Sequence, residues 1–363
     1  MKHKIFRLFL KLLKRLVLIK QVGNPYGSAP TPVPEPDEQE IFSQPFPNTD
    51  IFIWQLRKNF CSGLYGGAVI NKCNQVYERF LSFPWGKQLH PALFSPYLGR
   101  QIANIDKAIL LITPVPSSNY YHWMVDVLPR LILAKDLGLK DFDQRKIILH
   151  KKEKAYEIEA LQLLGIPVSN IIRLSPFETV SVEDMIVPDF YLSFSEKPFP
   201  WWKKKLIDEF KQVVIAAEEP KTLKKIYCLR GKQKTRQLIG EEHLISILKE
   251  KGFVILDPAK MTLKEQIGSL AGAEVVIALH GAALTNIIFC AKGTRIIELR
   301  STHYPQEYFS GIAKTYDLLF ETVSIPPHRK RESQNLANEE NLFLTEESIN
   351  ILLDKIADKA LKQ

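Results

Sequence analysis

Residues 275–286 read VVIALHGAALTN. Val275 to Leu279 is an unbroken apolar run, His280 follows it, and small residues fill positions 281–283 before the apolar pattern resumes at Leu284. An uninterrupted apolar run of this length, bounded by a turn, is the pattern of a strand buried on both faces, as in a parallel sheet covered by helices. The stretch His280-Gly281-Ala282-Ala283-Leu284-Thr285-Asn286 then leads into a helix, whose first N–H groups lack intrahelical partners and carry the positive end of the dipole. Small residues at 281–283 let a phosphate approach the backbone, and His280 can donate a hydrogen bond to it. A plain tight turn would need the same small residues, so the stretch alone leaves both readings open.

The neighbouring sequence repeats this alternation. Strands are expected at Ile226–Leu229, Phe253–Leu256 and Arg295–Leu299, with helices at Glu241–Lys251, Leu263–Ala271 and Leu284–Cys290, so a parallel sheet forms with ligands beyond its carboxyl ends. Arg230 ends the first of these strands and opens the loop Arg230-Gly231-Lys232-Gln233-Lys234-Thr235-Arg236. A planar guanidinium at that edge suits bidentate phosphate binding, whereas a lone basic loop is as well explained by solvated charge. Glu298 ends the strand after His280 and is expected at the ligand edge, accepting hydrogen bonds from sugar hydroxyls; an ion pair with Arg295 or Arg300 is the alternative.

Upstream, short apolar runs at Ile51–Trp54, Ala108–Ile112, Lys146–Leu149 and Met185–Val187 alternate with helical patterns at 120–137 and 153–164, the signature of another α/β lobe. Asn119-Tyr120-Tyr121-His122-Trp123 opens one of those helices. His122 and Asp126, four apart, share a helical face, where a carboxylate can raise the basicity of the imidazole. Such an imidazole can take a proton from a hydroxyl, although a histidine among aromatics also serves as an ordinary core residue.

Composition narrows the classes. With 363 residues, 45% hydrophobic and 25% charged, the chain can bury two cores. Seven of its nine net positive charges lie in the first twenty residues, so the body is nearly neutral and a nucleic-acid partner is not indicated. Within residues 4–20, Lys4, Arg7, Lys11, Lys14 and Arg15 share one helical face opposite apolar residues, which fits a helix lying on an anionic membrane surface. A helix packed on the body and a cleaved signal are the other readings of that segment. The basic residues interrupt it too often for a membrane span. Seven prolines between Gly23 and Asp50 make an extended tether, and the stretch around Trp201–Ala217, between Pro198 and Pro220, reads as the connection between lobes. The polar stretch Pro326–Asn341 is expected to cover the surface before a last helix at about 345–362. Cys61, Cys73, Cys228 and Cys290 have no zinc-ligand or paired spacing, and a reducing compartment is expected. There is no G-x-S-x-G, P-loop, G-x-G-x-x-G or H-E-x-x-H motif, and no Asp-x-Asp pair at a strand end.

Taken together, Asn119–Trp123 with Asp126, Leu128, Pro129 and Arg130, then Glu265-Gln266 before Ala273, and then His280–Asn286 with Ile297-Glu298-Leu299, resemble glycosyltransferase family 61. The resemblance implies a GT-B fold, with two Rossmann-like lobes whose parallel sheets face a central cleft. It implies metal-independent, inverting transfer of a hexosyl or pentosyl group from a nucleotide-sugar donor to a saccharide or lipid-linked acceptor, with no further cofactor. It assigns donor binding to Arg230, Arg236, His280, Gly281, Ala282, Ala283, Leu284, Asn286 and Glu298, and proposes His122, oriented by Asp126, as the base. One departure is that Gln237-Leu238-Ile239-Gly240 follows Arg236, where the family often carries an Asn-Glu pair.

The expected organisation is a basic helix at 1–20, a tether at 21–49, an acceptor-side lobe at 50–205 and a donor-binding lobe at 206–363. The expected role is cell-surface polysaccharide synthesis at the cytoplasmic face of a membrane. The rivals are a catalytically silent nucleotide-sugar-binding protein and a membrane-surface scaffold.

Overall fold

The computed structural model describes residues 31–33, 52–63, 67–81, 90–93, 99–112, 119–136, 139, 141–189, 197–215, 223–230, 236–304, 307–328 and 340–357. The basic helix expected at 4–20 and residues 231–235 of the basic loop lie outside the described residues. The chain divides into two compact units, Met1–Leu192 and Ser193–Gln363.

The first unit is built on strands β1 (Thr31–Val33), β2 (Ile53–Ser62), β3 (Ala68–Ile70), β4 (Gln75–Tyr77), β5 (Arg100–Leu110), β6 (Lys146–His150), β7 (Ile171–Leu174) and β8 (Glu178–Pro188). They form one sheet in the order β1-β4-β3-β2-β8-β5-β6-β7. The parallel sheet expected here is parallel in one half and antiparallel in the pairings of β2. The half β8-β5-β6-β7 is parallel, with helical crossovers after β5 and β6, while β2 pairs antiparallel with both β3 and β8. For β2, β3 and β4 the reason is local, because their connections are too short for a parallel crossover, which needs a dozen residues or more; the pairing of β2 with β8 joins segments far apart in the chain. β1, within the span read as tether, pairs with β4 along the edge. Trp54, Leu56, Ile105, Leu110, Ile148, Val182 and Met185 are among the residues that fill the core on the sheet.

In the second unit, β9 (Lys225–Cys228), β11 (Val254–Leu256), β12 (Val275–Leu279), β13 (Arg295–Ser301) and β14 (Leu319–Ile325) make an all-parallel sheet ordered β11-β9-β12-β13-β14. All five residues of β12 are buried, as its uniform apolar sequence dictates. Numbered in chain order, these strands run 2-1-3-4-5, a doubly wound arrangement. Its topological switch point lies between β9 and β12, where chains leave toward opposite faces and open a crevice at the carboxyl ends. Arg230 follows β9 and His280 follows β12, so the sheet order brings them together. β14 was not anticipated from the sequence, because Glu321 and Thr322 interrupt its apolar run.

Helices α1 (Leu128–Asp136) and α2 (Ala155–Leu163) belong to the first unit; α3 (Trp201–Ile215), α4 (Glu241–Glu250), α5 (Leu263–Ala271), α6 (Tyr308–Thr315) and α7 (Glu346–Ala357) belong to the second. The stretch read as a connection between lobes is thus helix α3, which packs on α5. α5 begins with a capping box: the Thr262 hydroxyl accepts from the Glu265 N–H, and the Glu265 carboxylate accepts from the Thr262 N–H. The helix expected at 284–290 is instead a 3₁₀ helix, Ala282–Phe289. Two further strands, β10 (Leu238–Ile239) and β15 (Leu342–Phe343), form a small parallel pair apart from the main sheet.

Candidate functional site: two histidine–carboxylate pairs

His280 leaves the end of β12 with its backbone N–H donated to the Leu299 carbonyl at 2.8 Å, which fixes the turn against β13. Its Nδ1 lies 2.5 Å from Glu298 Oε1. A carboxylate only accepts, so Nδ1–H donates and Nε2 keeps the lone pair in the neutral ring. Glu298 has no solvent exposure, and its Oε2 lies 3.6 Å from Arg300 Nη1. The sequence places Glu298 at the ligand edge; the fold places its side chain behind His280, as a positioning group. Arg295 pairs instead with Glu321 at 2.7 Å.

Arg230 Nη1 donates to the His280 carbonyl. Gly281 has an extended backbone that any residue adopts, and a Cβ there would fall on the Arg230 guanidinium. A Cβ at 281 would therefore act by displacing the flexible end of Arg230 rather than by straining the turn. Arg236 sits in the left-handed region at φ 56°, a conformation that costs a non-glycine residue about 1 kcal/mol or more, and it lines the same pocket as His280. Among the described residues neither arginine forms an ion pair, and the Nε of each lacks a hydrogen-bond partner.

Burial and the neighbouring Arg236 push the Arg230 guanidinium down to about 10, and burial also lowers Arg236. Burial lowers His280 below its ordinary 6.5 against the opposing pull of Glu298, and the two arginines lower it further. Two half-buried cations beside a neutral imidazole form a site that an anion would relieve. Tyr304 covers the ring of His280 at a centroid distance of 4.2 Å, and Phe309 meets it edge-on at 5.2 Å.

The other expected donor residues divide. Ala282 and Ala283 open the 3₁₀ helix beside Gly281, while Leu284 and Asn286 are buried in it. The Asn286 amide donates to Gln266 Oε1 at 2.7 Å, and Gln266 in turn bonds the Pro258 and Met261 carbonyls. Both thereby tie α5 to the turn. Sequence reasoning missed Ser301, Tyr304 and Glu340, which line the pocket. Their only signal was position: 301 and 304 follow β13, and Glu340 precedes the apolar triplet Leu342–Leu344.

In the first unit, Asn119 caps a short helical turn, its side chain accepting from the Tyr121 N–H at 3.0 Å. A π-helical turn, Trp123–Val127, follows. The Leu128 N–H reaches back to the Trp123 carbonyl, and the wide turn ends where Pro129 would clash with the carbonyl four residues before it. Within it, His122 Nδ1 lies 2.7 Å from Asp126 Oδ2, and both are buried. Arg130 fastens this helix to the sheet: its guanidinium donates to the carbonyls of Leu110, Leu111, Pro188 and Asp189, at the ends of β5 and β8. Burial pushes it down to about 10.

Two histidines, each held at Nδ1 by a buried carboxylate and each at the end of a sheet strand's connection, are thus the chemical landmarks of the chain. Residues 120–297 match the family model Glycosyltransferase 61. Over that region the chain is similar to glycosyltransferase family 61. The match spans His122, Asp126, Arg230, Arg236 and His280, and stops short of Glu298, Ser301, Tyr304 and Glu340. Among curated proteins, the chain is 32% identical over 68 residues to the beta-1,2-xylosyltransferase RCN11 of Oryza sativa subsp. japonica, covering 19% of this chain and 13% of the relative. It is 32% identical over 71 residues to the beta-1,2-xylosyltransferase of Arabidopsis thaliana, covering 20% of this chain and 13% of the relative.

Proposed function

We propose that this protein transfers a sugar from a nucleotide-sugar donor to a saccharide or lipid-linked acceptor, with inversion and without a metal. The observation that carries the reading is the pair of unneutralised guanidinium groups, Arg230 and Arg236, beside His280 at the switch point of a doubly wound sheet. The match of residues 120–297 to family 61 and the local similarity to two xylosyltransferases support it.

In this reading the acceptor hydroxyl oxygen attacks the anomeric carbon, the bond from that carbon to the β-phosphate oxygen breaks, and the nucleoside diphosphate leaves. Arg230 and Arg236 stabilise the charge that develops on the diphosphate, and Gly281 lets Arg230 reach it. The proton of the acceptor hydroxyl passes to Nε2 of His122, whose ring Asp126 fixes through Nδ1. His280 orients the donor, and Glu298 orients His280. Residues 4–20 are retained as the segment that meets an anionic membrane surface at the cytoplasmic face, where an acceptor for cell-surface polysaccharide would lie.

The test is release of nucleoside diphosphate from UDP-, GDP-, CDP- and dTDP-sugars in EDTA, with saccharide and lipid-linked acceptors. Turnover of one nucleotide class, lost in His122→Gln while binding persists, supports the reading. Binding without turnover under every acceptor condition would favour the silent nucleotide-sugar-binding protein.

A further inference from the structure

Of the described tryptophans, Trp54, Trp123 and Trp202 are 3%, 0% and 8% exposed, whereas Trp201 is 52% exposed. The helix that carries it, α3, fills its inner face without it: Trp202, Leu206, Ile207, Phe210 and Val214 are buried. A large aromatic ring left half in water beside a filled core is the exception that marks a surface another molecule covers.

Trp201 forms one wall of a groove of about 370 Å³, whose other lining residues are Lys204, Lys205, Asp208, Glu209 and Gln212. None of these lines the pocket around His280. They recur at helical spacing, so the groove follows one face of α3 for roughly 17 Å. That face is held still. The Phe199 N–H donates to Thr315 Oγ1 at 2.7 Å, and Lys211 Nζ donates to the Ile288 and Cys290 carbonyls at 3.2 and 3.3 Å, which ties the helix down at its start and near its end. Lys204 Nζ lies 2.6 Å from Asp208 Oδ2 and 5.0 Å over the Tyr316 ring, and Lys205 Nζ lies 2.5 Å from Glu209 Oε1.

These ion pairs decide what the groove can take. Two lysines and two carboxylates cancel, so it has no surplus cation for a phosphate backbone or an anionic membrane, and no surplus anion for a basic peptide. The carboxylates keep acceptor capacity, the ammonium groups keep donor hydrogens, and the Gln212 amide offers both. A flat aromatic ring bordered by fixed donors and acceptors of zero net charge matches a neutral saccharide, which sets an apolar C–H face on the ring and turns hydroxyls to the rim. Side chains already held by their partners lose little freedom on binding.

We propose that the outer groove of α3 is a saccharide site apart from the His280 pocket, which holds a neutral oligosaccharide against Trp201. It rests on the transferase reading in one respect, that this chain meets saccharides; binding there needs neither nucleotide nor turnover.

The experiment is titration of the full chain, without nucleotide, with cellohexaose, maltohexaose, mannohexaose and xylohexaose and with the acidic hexamer of galacturonic acid, followed by calorimetry and by acrylamide quenching of tryptophan fluorescence. Wild type should bind at least one neutral hexamer more tightly than the acidic one, with reduced quenching. Trp201→Ala should weaken that binding at least about tenfold, the usual consequence of removing an aromatic anchor, and Trp201→Phe should retain part of it. Both variants should keep the wild-type melting temperature and nucleotide affinity, because the ring lies outside the core and outside the His280 pocket. Failure of every neutral hexamer to bind wild type, binding that Trp201→Ala leaves intact, or a preference for the acidic hexamer overturns the proposal. Oligosaccharide held through Trp201 in a protein that neither binds nor turns over any nucleotide sugar upholds this site and overturns the transferase reading instead.

Discussion

His122 with Asp126 and His280 with Glu298 share a design, an imidazole whose Nδ1 is held by a buried carboxylate, yet their surroundings differ. His280 shares a pocket with Arg236 and Tyr304 and accepts Arg230 at its carbonyl, and among the described residues neither arginine forms an ion pair. His122 stands on a π-helical turn against the edge of the Tyr121 ring, 5.3 Å away, and the one guanidinium fastening its helix is committed to four backbone carbonyls. The same pair of groups is therefore set for different tasks. In the proposed reading, the His280 imidazole beside two arginines serves a ligand that brings negative charge, and the His122 imidazole, held at Nδ1 by Asp126, serves proton abstraction.

The contrast is sharpest in turnover. His122→Gln is expected to lower kcat by two to four orders of magnitude, the usual worth of a general base, with nucleotide affinity unchanged. An equal loss of affinity would break the division of labour. Gly281→Ala comes next: its Cβ displaces the Arg230 guanidinium, and nucleotide affinity should fall about tenfold, the value of one charge-assisted hydrogen bond, with little change in melting temperature. If affinity is untouched, Arg230 is not a phosphate ligand.

A smaller effect is expected from pH. In the unliganded protein burial lowers His280 below 6.5, so the folded state binds fewer protons than the unfolded chain. Stability therefore increases with pH where unfolded histidine titrates, and is lost as the pH falls through 6.5 toward the folded value. A bound diphosphate has the opposite preference, because it favours the protonated ring. Affinity for a nucleotide sugar, whose diphosphate does not titrate in this range, should strengthen as the pH falls from about 8 to about 6. Titrations over that range should show the slope in wild type and none in His280→Gln. The smallest effect belongs to neither histidine: Thr262→Ala removes the cap of α5, and denaturant unfolding should register about 1 kcal/mol with no change in affinity.

Much of the second unit was legible because its strands are continuous apolar runs and its parallel sheet forces strand ends to one edge. Val275–Leu279 could be read directly, and Arg230 and His280 followed from their places at strand ends. What the sequence could not convey was side-chain direction. Glu298 was assigned to the ligand from its position, but its carboxylate turns to His280. Asn286, in the same stretch as His280, turns to Gln266. Glu340 was hidden for another reason: it reaches the pocket by a strand pairing that joins residues about a hundred positions apart, which no local period records. In the first unit the alternation of apolar runs and helical patterns indicated α/β structure, but not that β2 would join β8 antiparallel, since that pairing brings together segments far apart in the chain and no local period records its direction.

The central claim, that a nucleotide diphosphate is held at the switch point of the second unit, is tested most directly by thermal shift with UDP-, GDP-, CDP- and dTDP-sugars in EDTA, on wild type and Arg230→Ala. Ligand that binds the folded state raises its melting temperature in proportion to occupancy. One nucleotide class should stabilise the wild type, and Arg230→Ala should remove the shift. No shift in folded wild-type protein, or a shift that survives unchanged in Arg230→Ala, would contradict it.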